Sequence, residues 1–328
     1  MKTRAMKTSL DLNNEAATLF VKGDPAKAEK KFLEAIRNDS RNVTAHNNLG
    51  FLYASMGKVD KAVECYMKAL RLDSENATVH RNLGNAYAVM GDYEQAMLHL
   101  QQSASLDSDN METRESIAKL YQLTGNHSLA ESAYSALLQY DPDNGDYAFQ
   151  LALVLSAQKK YDPAIELLKA ILQDDEENTE VITQLGIILL MKEDFGSAIG
   201  ALKRALSITP ESTDARYHLG LAKLLTGNKE EAKKEMERVL HFDPNHKART
   251  DLAVLLLSDG DHAAALTHLE KAGADESNTK AVYYKAIAHR LMGNNGKAIS
   301  AINVVIGRND PEYSEKAKRL KDDWRGKA

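Results

Sequence analysis

One small residue returns every 34 positions along most of this 328-residue chain. Steps of 34 residues separate the first seven of these alanines, and steps of 33 lead to the last two. The column consists of Ala28, Ala62, Ala96, Ala130, Ala164, Ala198, Ala232, Ala265 and Ala298. A fixed period of this length indicates a solenoid of stacked supersecondary units, and the chain is long for one compact hydrophobic core.

Two further columns keep the same period. A second alanine or glycine stands twelve positions before each alanine of the first column, as Gly50 does before Ala62. A glycine also stands five positions before it in seven of the nine segments, and Lys159 and Glu193 replace this glycine in the other two. Glycine there suits the left-handed end of a helix. We therefore expect two antiparallel helices per segment, with small residues where their backbones approach.

The segments resemble the tetratricopeptide repeat (TPR) family. Its pattern places Leu-Gly-x-x-Tyr on a first helix and Ala-x-x-x-Phe on a second, followed by Pro. Leu49, Gly50, Tyr53, Ala62 and Tyr66 carry the match in the second segment. The family's Trp is replaced throughout, and Pro closes only three segments. The resemblance implies an all-α fold, a right-handed superhelical α-solenoid of antiparallel helix pairs.

The period also predicts the domain boundaries. Residues 1–8 are expected to form a flexible N-terminus, residues 9–312 nine repeats, and residues 313–328 a capping helix with a tail. A stripe containing Tyr313 and Trp324 predicts the cap, since a solenoid end needs one apolar and one solvated face. The repeats are expected to start at Ser9, Val43, Ala77, Met111, Gly145, Thr179, Thr213, His246 and Thr279.

Composition and motifs argue against several functions. The net charge of −5 does not favour a nucleic-acid partner, and the apolar runs are far shorter than the ~18 residues of a membrane span. Cys65 is the single cysteine, and the spacing of the ten histidines does not favour a metal site. No apolar segment of a secretory signal is visible near Met1, which favours the cytoplasm. We therefore expect a non-enzymatic protein without catalytic residues, metal or cofactor.

The resemblance implies that the first helices line a concave groove, into which the sixth residue of each repeat points. Seven successive repeats carry a polar residue there: Asn14, Asn48, Asn82, Ser116, Gln150, Gln184 and His218. A carboxamide both donates and accepts hydrogen bonds, which suits binding of a peptide backbone. The column resembles the asparagine ladder in the TPR array of O-linked N-acetylglucosamine transferases. We add Arg81, Asn85 and Lys119 to this peptide-binding set; the alternative is that polar residues occupy a hydrated groove.

The ninth and twelfth positions of the repeats change character along the chain. They are polar in the middle repeats and apolar later: Ile187, Leu190, Leu221, Leu224, Val254 and Leu257. If they face the groove, they form an apolar strip that marks a partner site. The alternative is that superhelical packing buries them.

These observations predict a protein-interaction scaffold that binds a peptide or helix of a partner in its concave groove. The alternative is a structural protein that self-assembles into a homo-oligomer. In that case, the groove would accept the capping helix or the amphipathic N-terminal stretch of another copy. The stretch contains Leu10, Leu12, Ala16, Leu19 and Phe20. The residues do not identify the partner.

Overall fold

A computed structural model describes residues 7–273 and 277–325 of the chain. These residues form nineteen α-helices and no strand. The predicted all-α repeat array is confirmed. Residues 1–6 of the expected flexible N-terminus and residues 326–328 of the expected tail lie outside the described part of the chain.

The chain divides into two compact units. The N-terminal unit, Met1–Lys160, contains nine helices, and each first helix packs against the second helix that follows it up to α8. Its helices are α1 (Ser9–Val21), α2 (Pro25–Asn38), α3 (Val43–Ser55), α4 (Val59–Leu72), α5 (Ala77–Met90), α6 (Tyr93–Leu106), α7 (Met111–Leu123), α8 (His127–Tyr140) and α9 (Gly145–Ala157).

The C-terminal unit, Tyr161–Ala328, begins with a second helix and continues with four helix pairs and a last helix. Its helices are α10 (Tyr161–Asp174), α11 (Thr179–Met191), α12 (Phe195–Ile208), α13 (Thr213–Leu225), α14 (Lys229–Phe242), α15 (Ala248–Ser258), α16 (His262–Ala272), α17 (Thr279–Leu291), α18 (Asn295–Gly307) and α19 (Tyr313–Arg325).

Helix α15 differs from the sequence expectation at its start. It begins at Ala248, two residues after the expected His246. The imidazole Nδ1 of His246 accepts a hydrogen bond from the backbone N–H of Ala248 at 3.0 Å. An acceptor in this place satisfies a free N–H of the first helical turn, so the side chain caps the helix that was expected to include it.

The glycine and alanine columns lie where the two helices of a pair cross. A Cβ atom added to Gly50 would lie 2.6 Å from Cε1 of Tyr66, and one added to Gly186 would lie 2.6 Å from Cγ of Leu202. The alanines of the first column, such as Ala62, are fully buried. Small residues therefore let the backbones approach closely, and the larger side chains of α4 and α12 fill the remaining space.

The helix ends recur with the same period. The first helices from α3 to α13 begin after a residue whose side-chain oxygen accepts a backbone N–H of the first turn. These capping residues are Asn42, Asn76, Asn110, Asn144, Asn178 and Ser212. At the opposite ends, Lys159 (φ 62°) and Glu193 (φ 67°) keep the left-handed conformation that glycine adopts in the other repeats. The turn is thus preserved at a cost of roughly 1 kcal/mol per residue.

Helix α19 covers the end of the C-terminal unit. Tyr313 and Ala317 are buried, and Leu320 and Trp324 pack against the same cluster with residues of α17 and α18. The guanidinium of Arg290 lies 5.7 Å from the ring centroid of Trp324. One face of α19 therefore closes the apolar core of the last helix pair, as a terminal cap of a repeat array must.

Candidate functional site

Successive first helices contact one another directly along most of the N-terminal unit. In the N-terminal unit α1 contacts α3, α3 contacts α5, and α5 contacts α7. Neighbouring second helices share no comparable contact among the described residues. The first helices α1, α3, α5 and α7 therefore pack directly against one another. We call their solvent-facing surface the first-helix face.

Five asparagines of the first helices α1, α3 and α5 form one hydrogen-bonded series, which we call the amide chain. Asn13 is buried, at 3% exposure, and the other four keep accessible surface on the first-helix face. Asn82 Nδ2 donates to Asn47 Oδ1 at 2.9 Å, and Asn48 Nδ2 donates to Asn13 Oδ1 at 3.1 Å. Longer bonds connect neighbours within a helix: Asn47 donates to Asn48 at 3.4 Å, and Asn13 donates to Asn14 at 3.3 Å. The series therefore links α5, α3 and α1 without a break.

The other polar residues expected at the sixth position do not join the amide chain. The Ser116 hydroxyl donates to the carbonyl of Glu112 in its own helix at 2.9 Å. Gln150 is half-buried on α9. In the C-terminal unit, Gln184 lines a cavity of about 350 Å³ together with Thr183.

His218, the last residue of the predicted column, is engaged with its own helix. Its Nδ1 lies 2.9 Å from the backbone oxygen of Asp214 and 3.3 Å from Oδ1 of the same residue. The hydrogen bond from His218 lowers the pKa of the Asp214 carboxyl. The imidazole is thus already paired with a carboxylate on the helical turn before it.

The remaining members of the predicted peptide-binding set lie beside the amide chain. Arg81 forms an ion pair with Glu112 of the next first helix, and Lys119 pairs with Glu115 at 2.5 Å. Asn85 is exposed on α5. Exposed ion pairs of this kind contribute little to stability. A charged group of a ligand can therefore replace one partner of such a pair at little cost.

The six apolar residues expected in the groove are all half-buried. Leu221 and Leu224 pack against the core cluster that contains Tyr217 and Met236. Leu257 packs against the cluster of α16 and α17. These three side chains therefore pack on the core and also keep an accessible portion. Two exposed apolar residues follow directly on α11 and α13: Met191 and Leu225, which are 47% and 61% exposed.

Sequence comparison identifies the repeats. Models described as "Tetratricopeptide repeat" match residues 31–64, 77–110, 123–185, 189–253 and 247–271, and one described as "TPR repeat" matches residues 52–91. Together these matches cover well over half of the chain. The chain belongs to the tetratricopeptide repeat family. Arrays of this family are in general non-catalytic scaffolds that bind other proteins.

Solved structures of TPR proteins share the fold at low sequence identity. A tetratricopeptide repeat protein from Parabacteroides merdae is 18% identical, with a TM-score of 0.62 over 76% of this chain and 98% of that one. PilF of Pseudomonas aeruginosa is 20% identical, with a TM-score of 0.54 over 63% and 94%. An IFIT1 monomeric mutant with Gppp-AAAA is 18% identical, with a TM-score of 0.57 over 98% and 83%. No curated protein matches the sequence.

The TPR array offers few groups for other chemistry. Within residues 7–273 and 277–325, no group of three or more His, Cys, Asp or Glu side chains could hold a metal ion. None of the helices in these ranges is both long and apolar enough to cross a membrane. Cys65 is buried, and burial raises the pKa of its thiol to about 11. The thiolate that nucleophilic chemistry requires is therefore scarce at neutral pH.

Sequence reasoning missed the residues that link the amide chain. Asn13 and Asn47 stand at the fifth position of their repeats, and each accepts from the sixth-position asparagine of the next repeat. The signal was present as two Asn-Asn pairs 34 residues apart. In the third repeat Arg81 takes the fifth position, which ends the series at Asn82.

Proposed function

We propose that this TPR protein is a non-enzymatic scaffold that holds an extended segment of a partner protein along the first-helix face of its N-terminal unit. The amide chain is the observation that carries the proposal. Its hydrogen bonds orient the four accessible carboxamides of Asn14, Asn47, Asn48 and Asn82 before a ligand arrives, which reduces the entropy lost on binding. The carboxamides alternate between donor and acceptor, as a peptide backbone does.

The amide chain keeps hydrogen-bonding capacity for a ligand. Each Nδ2 carries two N–H groups, and the bonds along the series use at most one of them per residue. Packed helices lie about 8–10 Å apart, and an extended chain advances about 3.3 Å per residue. A partner strand would therefore reach the carboxamides of the next first helix about every three residues. Such contacts recognise the backbone and tolerate many side chains.

The apolar residues of the C-terminal unit support a second mode of binding to the same kind of partner. Ile187, Leu190, Leu221 and Leu224 are half-buried on α11 and α13, with Met191 and Leu225 exposed beside them. An amphipathic helix would bury its apolar side chains on these residues. We place the primary site on the amide chain, because core packing gives no reason for five linked asparagines.

The structure gives self-assembly less support. Leu12 and Ala16 of α1 are buried against their own chain, while Leu10 is 60% exposed. A copy that inserted α1 into a neighbour's groove would first have to lose this packing. Homo-oligomer formation through that helix therefore stays the alternative to partner binding, and mass measurement by light scattering distinguishes the two.

Replacing Asn48 and Asn82 together with alanine is expected to weaken partner binding about 5- to 150-fold, because each hydrogen bond to an uncharged group contributes about 0.5–1.5 kcal/mol. The measurement is the dissociation constant of peptides selected by display against the wild-type chain. Replacement of Gln101 and Gln102 together with alanine is the matched control, since these exposed carboxamides lie on the second helix α6 and not on the first-helix face. It should change affinity by less than twofold.

Thermal melting must accompany this comparison, because Asn48 and Asn82 also bond to Asn13 and Asn47. The double variant should remain folded, since these bonds are few and only half-buried. Leu190→Ser with Leu224→Ser distinguishes the second mode of binding. If this pair abolishes binding of the selected peptides and the asparagine pair leaves it unchanged, the primary site lies on the apolar residues instead.

A further inference from the structure

A cavity of about 390 Å³ lies among α16, α17 and α18 of the C-terminal unit. One wall is apolar, and the rest carries Lys285, His289, Lys297 and Ser300. Its volume is within the range of about 300–1,000 Å³ that small-molecule sites occupy. The polar groups come from two helices, α17 and α18, and converge on one space.

Two residues that line the cavity differ in chemistry from their counterparts in the second repeat. Lys285 and His289 stand where the second repeat has Leu49 and Tyr53, which fill the space beside their second helix. In the ninth repeat, Lys285 and His289 line the cavity instead. In the other repeats these two positions are apolar or tyrosine, apart from Glu15 in the first repeat and Lys223 in the seventh.

The seventh repeat also carries a basic residue at the position of His289, and there a carboxylate neutralises it. Lys223 occupies the position that corresponds to His289, and its Nζ donates to Glu235, twelve residues later, at 2.9 Å. In the ninth repeat the residue twelve positions after His289 is Ala301. The carboxylate that neutralises the seventh repeat is therefore missing from the ninth.

His289 is the decisive side chain. It is only 4% exposed, and its Nδ1 is buried with no hydrogen-bond partner within the described residues. Lys285 and Lys297 form no ion pair within these residues either. A buried polar nitrogen without a partner costs about 1–3 kcal/mol, which a bound acceptor would recover.

We propose that this cavity binds the phosphate group of a small phosphomonoester. Two ammonium groups, an imidazole and a hydroxyl provide donors for the several oxygens of one phosphate. Val282, Ala301 and Val304 line the apolar wall and would contact a small organic group attached to it. Glu270 at the rim disfavours a second anionic group on the same ligand.

The test uses phenyl phosphate and inorganic phosphate with the full chain, at an ionic strength held constant with chloride. The chemical shift of the His289 imidazole reports occupancy, since burial, Lys285 and Lys297 lower its pKa while Glu270 acts weakly in the other direction. A bound phosphate should raise this pKa. Phenyl phosphate should bind saturably and more tightly than inorganic phosphate, because only the ester contacts the apolar wall.

Lys285→Gln with Lys297→Gln should weaken phenyl phosphate roughly tenfold or more, since both charge-assisted bonds are lost. Lys203→Gln with Lys234→Gln removes the same charge from exposed positions on α12 and α14 and should leave affinity unchanged. Ala301→Leu fills the cavity without altering charge and should also weaken binding.

Three results would overturn the proposal. The first is an absent or unsaturable response of His289 to phenyl phosphate in the millimolar range. The second is equal weakening by the control pair Lys203→Gln and Lys234→Gln, which would show diffuse counterion binding. The third is benzoate binding as tightly as phenyl phosphate, which would show that the cavity selects a carboxylate.

Discussion

Replacing Glu235 with leucine is expected to destabilise the C-terminal unit by about 3 kcal/mol. Glu235 is 5% exposed and accepts from Lys223 Nζ at 2.9 Å and from Arg216 Nη1 at 3.1 Å. Removing one partner of a buried ion pair typically costs about 3–5 kcal/mol, because the other charge stays buried. We expect the lower end of this range, because Lys223 Nζ still has an ion-pair partner in Glu231 at 3.0 Å.

The measurement is hydrogen exchange of α13 and α14, which reports the local opening of this helix pair. Glu237→Leu is the control, because Glu237 is exposed on the same helix and should change stability by less than about 0.5 kcal/mol. Lys223→Met added to Glu235→Leu should recover most of the loss, since an apolar pair can replace a buried ion pair. Equal protection of α13 and α14 in Glu235→Leu and wild type would contradict the account.

The same substitution should alter the response to acid. Burial raises the pKa of Glu235, but the hydrogen bonds and charges of Lys223, Arg216 and Arg238 outweigh it, so the net pKa is lowered. A carboxyl group whose pKa is lower in the folded state stabilises the protein at pH values above its unfolded-state pKa. This stabilisation is lost as the pH falls through the folded-state pKa. The difference in protection between wild type and Glu235→Leu should therefore shrink in acid.

Leucine in place of Gly84 is expected to destabilise the helix pair α5–α6 by about 2–3 kcal/mol. A Cβ atom at this position would lie 2.8 Å from Cγ of Leu100 and 3.0 Å from the backbone oxygen of Ala96. The backbone oxygen cannot move without shifting α6. A larger side chain must therefore separate the two helices and expose core residues on both sides of the pair.

Gly220→Ala is the matched comparison for this substitution. Gly220 has the same place in its repeat, but a Cβ there would meet Ala232 and Glu235 at 3.5 Å, which is ordinary contact. Because alanine has the higher helix propensity, Gly220→Ala should be neutral or stabilising by up to about 1 kcal/mol. The two variants are compared by thermal melting. If Gly84→Leu melted at the same temperature as the wild type, the glycine column would not mark close helix crossings.

The fold could be predicted because each recurring residue has one local physical role. Ala62 and Gly50 must be small at a helix crossing, and Asn42 and Asn76 must cap helices, whatever surrounds them. His246 shows the limit of this logic. Its side chain caps α15 from outside, a role that depends on the conformation of the preceding turn.

The site was less accessible to sequence reasoning. The amide column pointed to Asn48 and Asn82, but their partners Asn47 and Asn13 depend on the register between neighbouring first helices. Sequence period gives the spacing of the helices and not the rotation that brings side chains together. The cavity beside His289 was missed for a related reason, since an unfilled volume depends on the packing of three helices.

The most direct test of the proposed binding surface is site-specific cross-linking to a peptide selected against the wild-type chain. A photoreactive phenylalanine derivative replaces Asn85, which is exposed on the first helix α5, or Gln101, which is exposed on the second helix α6. Irradiation should cross-link the peptide from position 85 and not from position 101. Cross-linking from position 101 alone would place the partner on the second helices and contradict binding along the first-helix face.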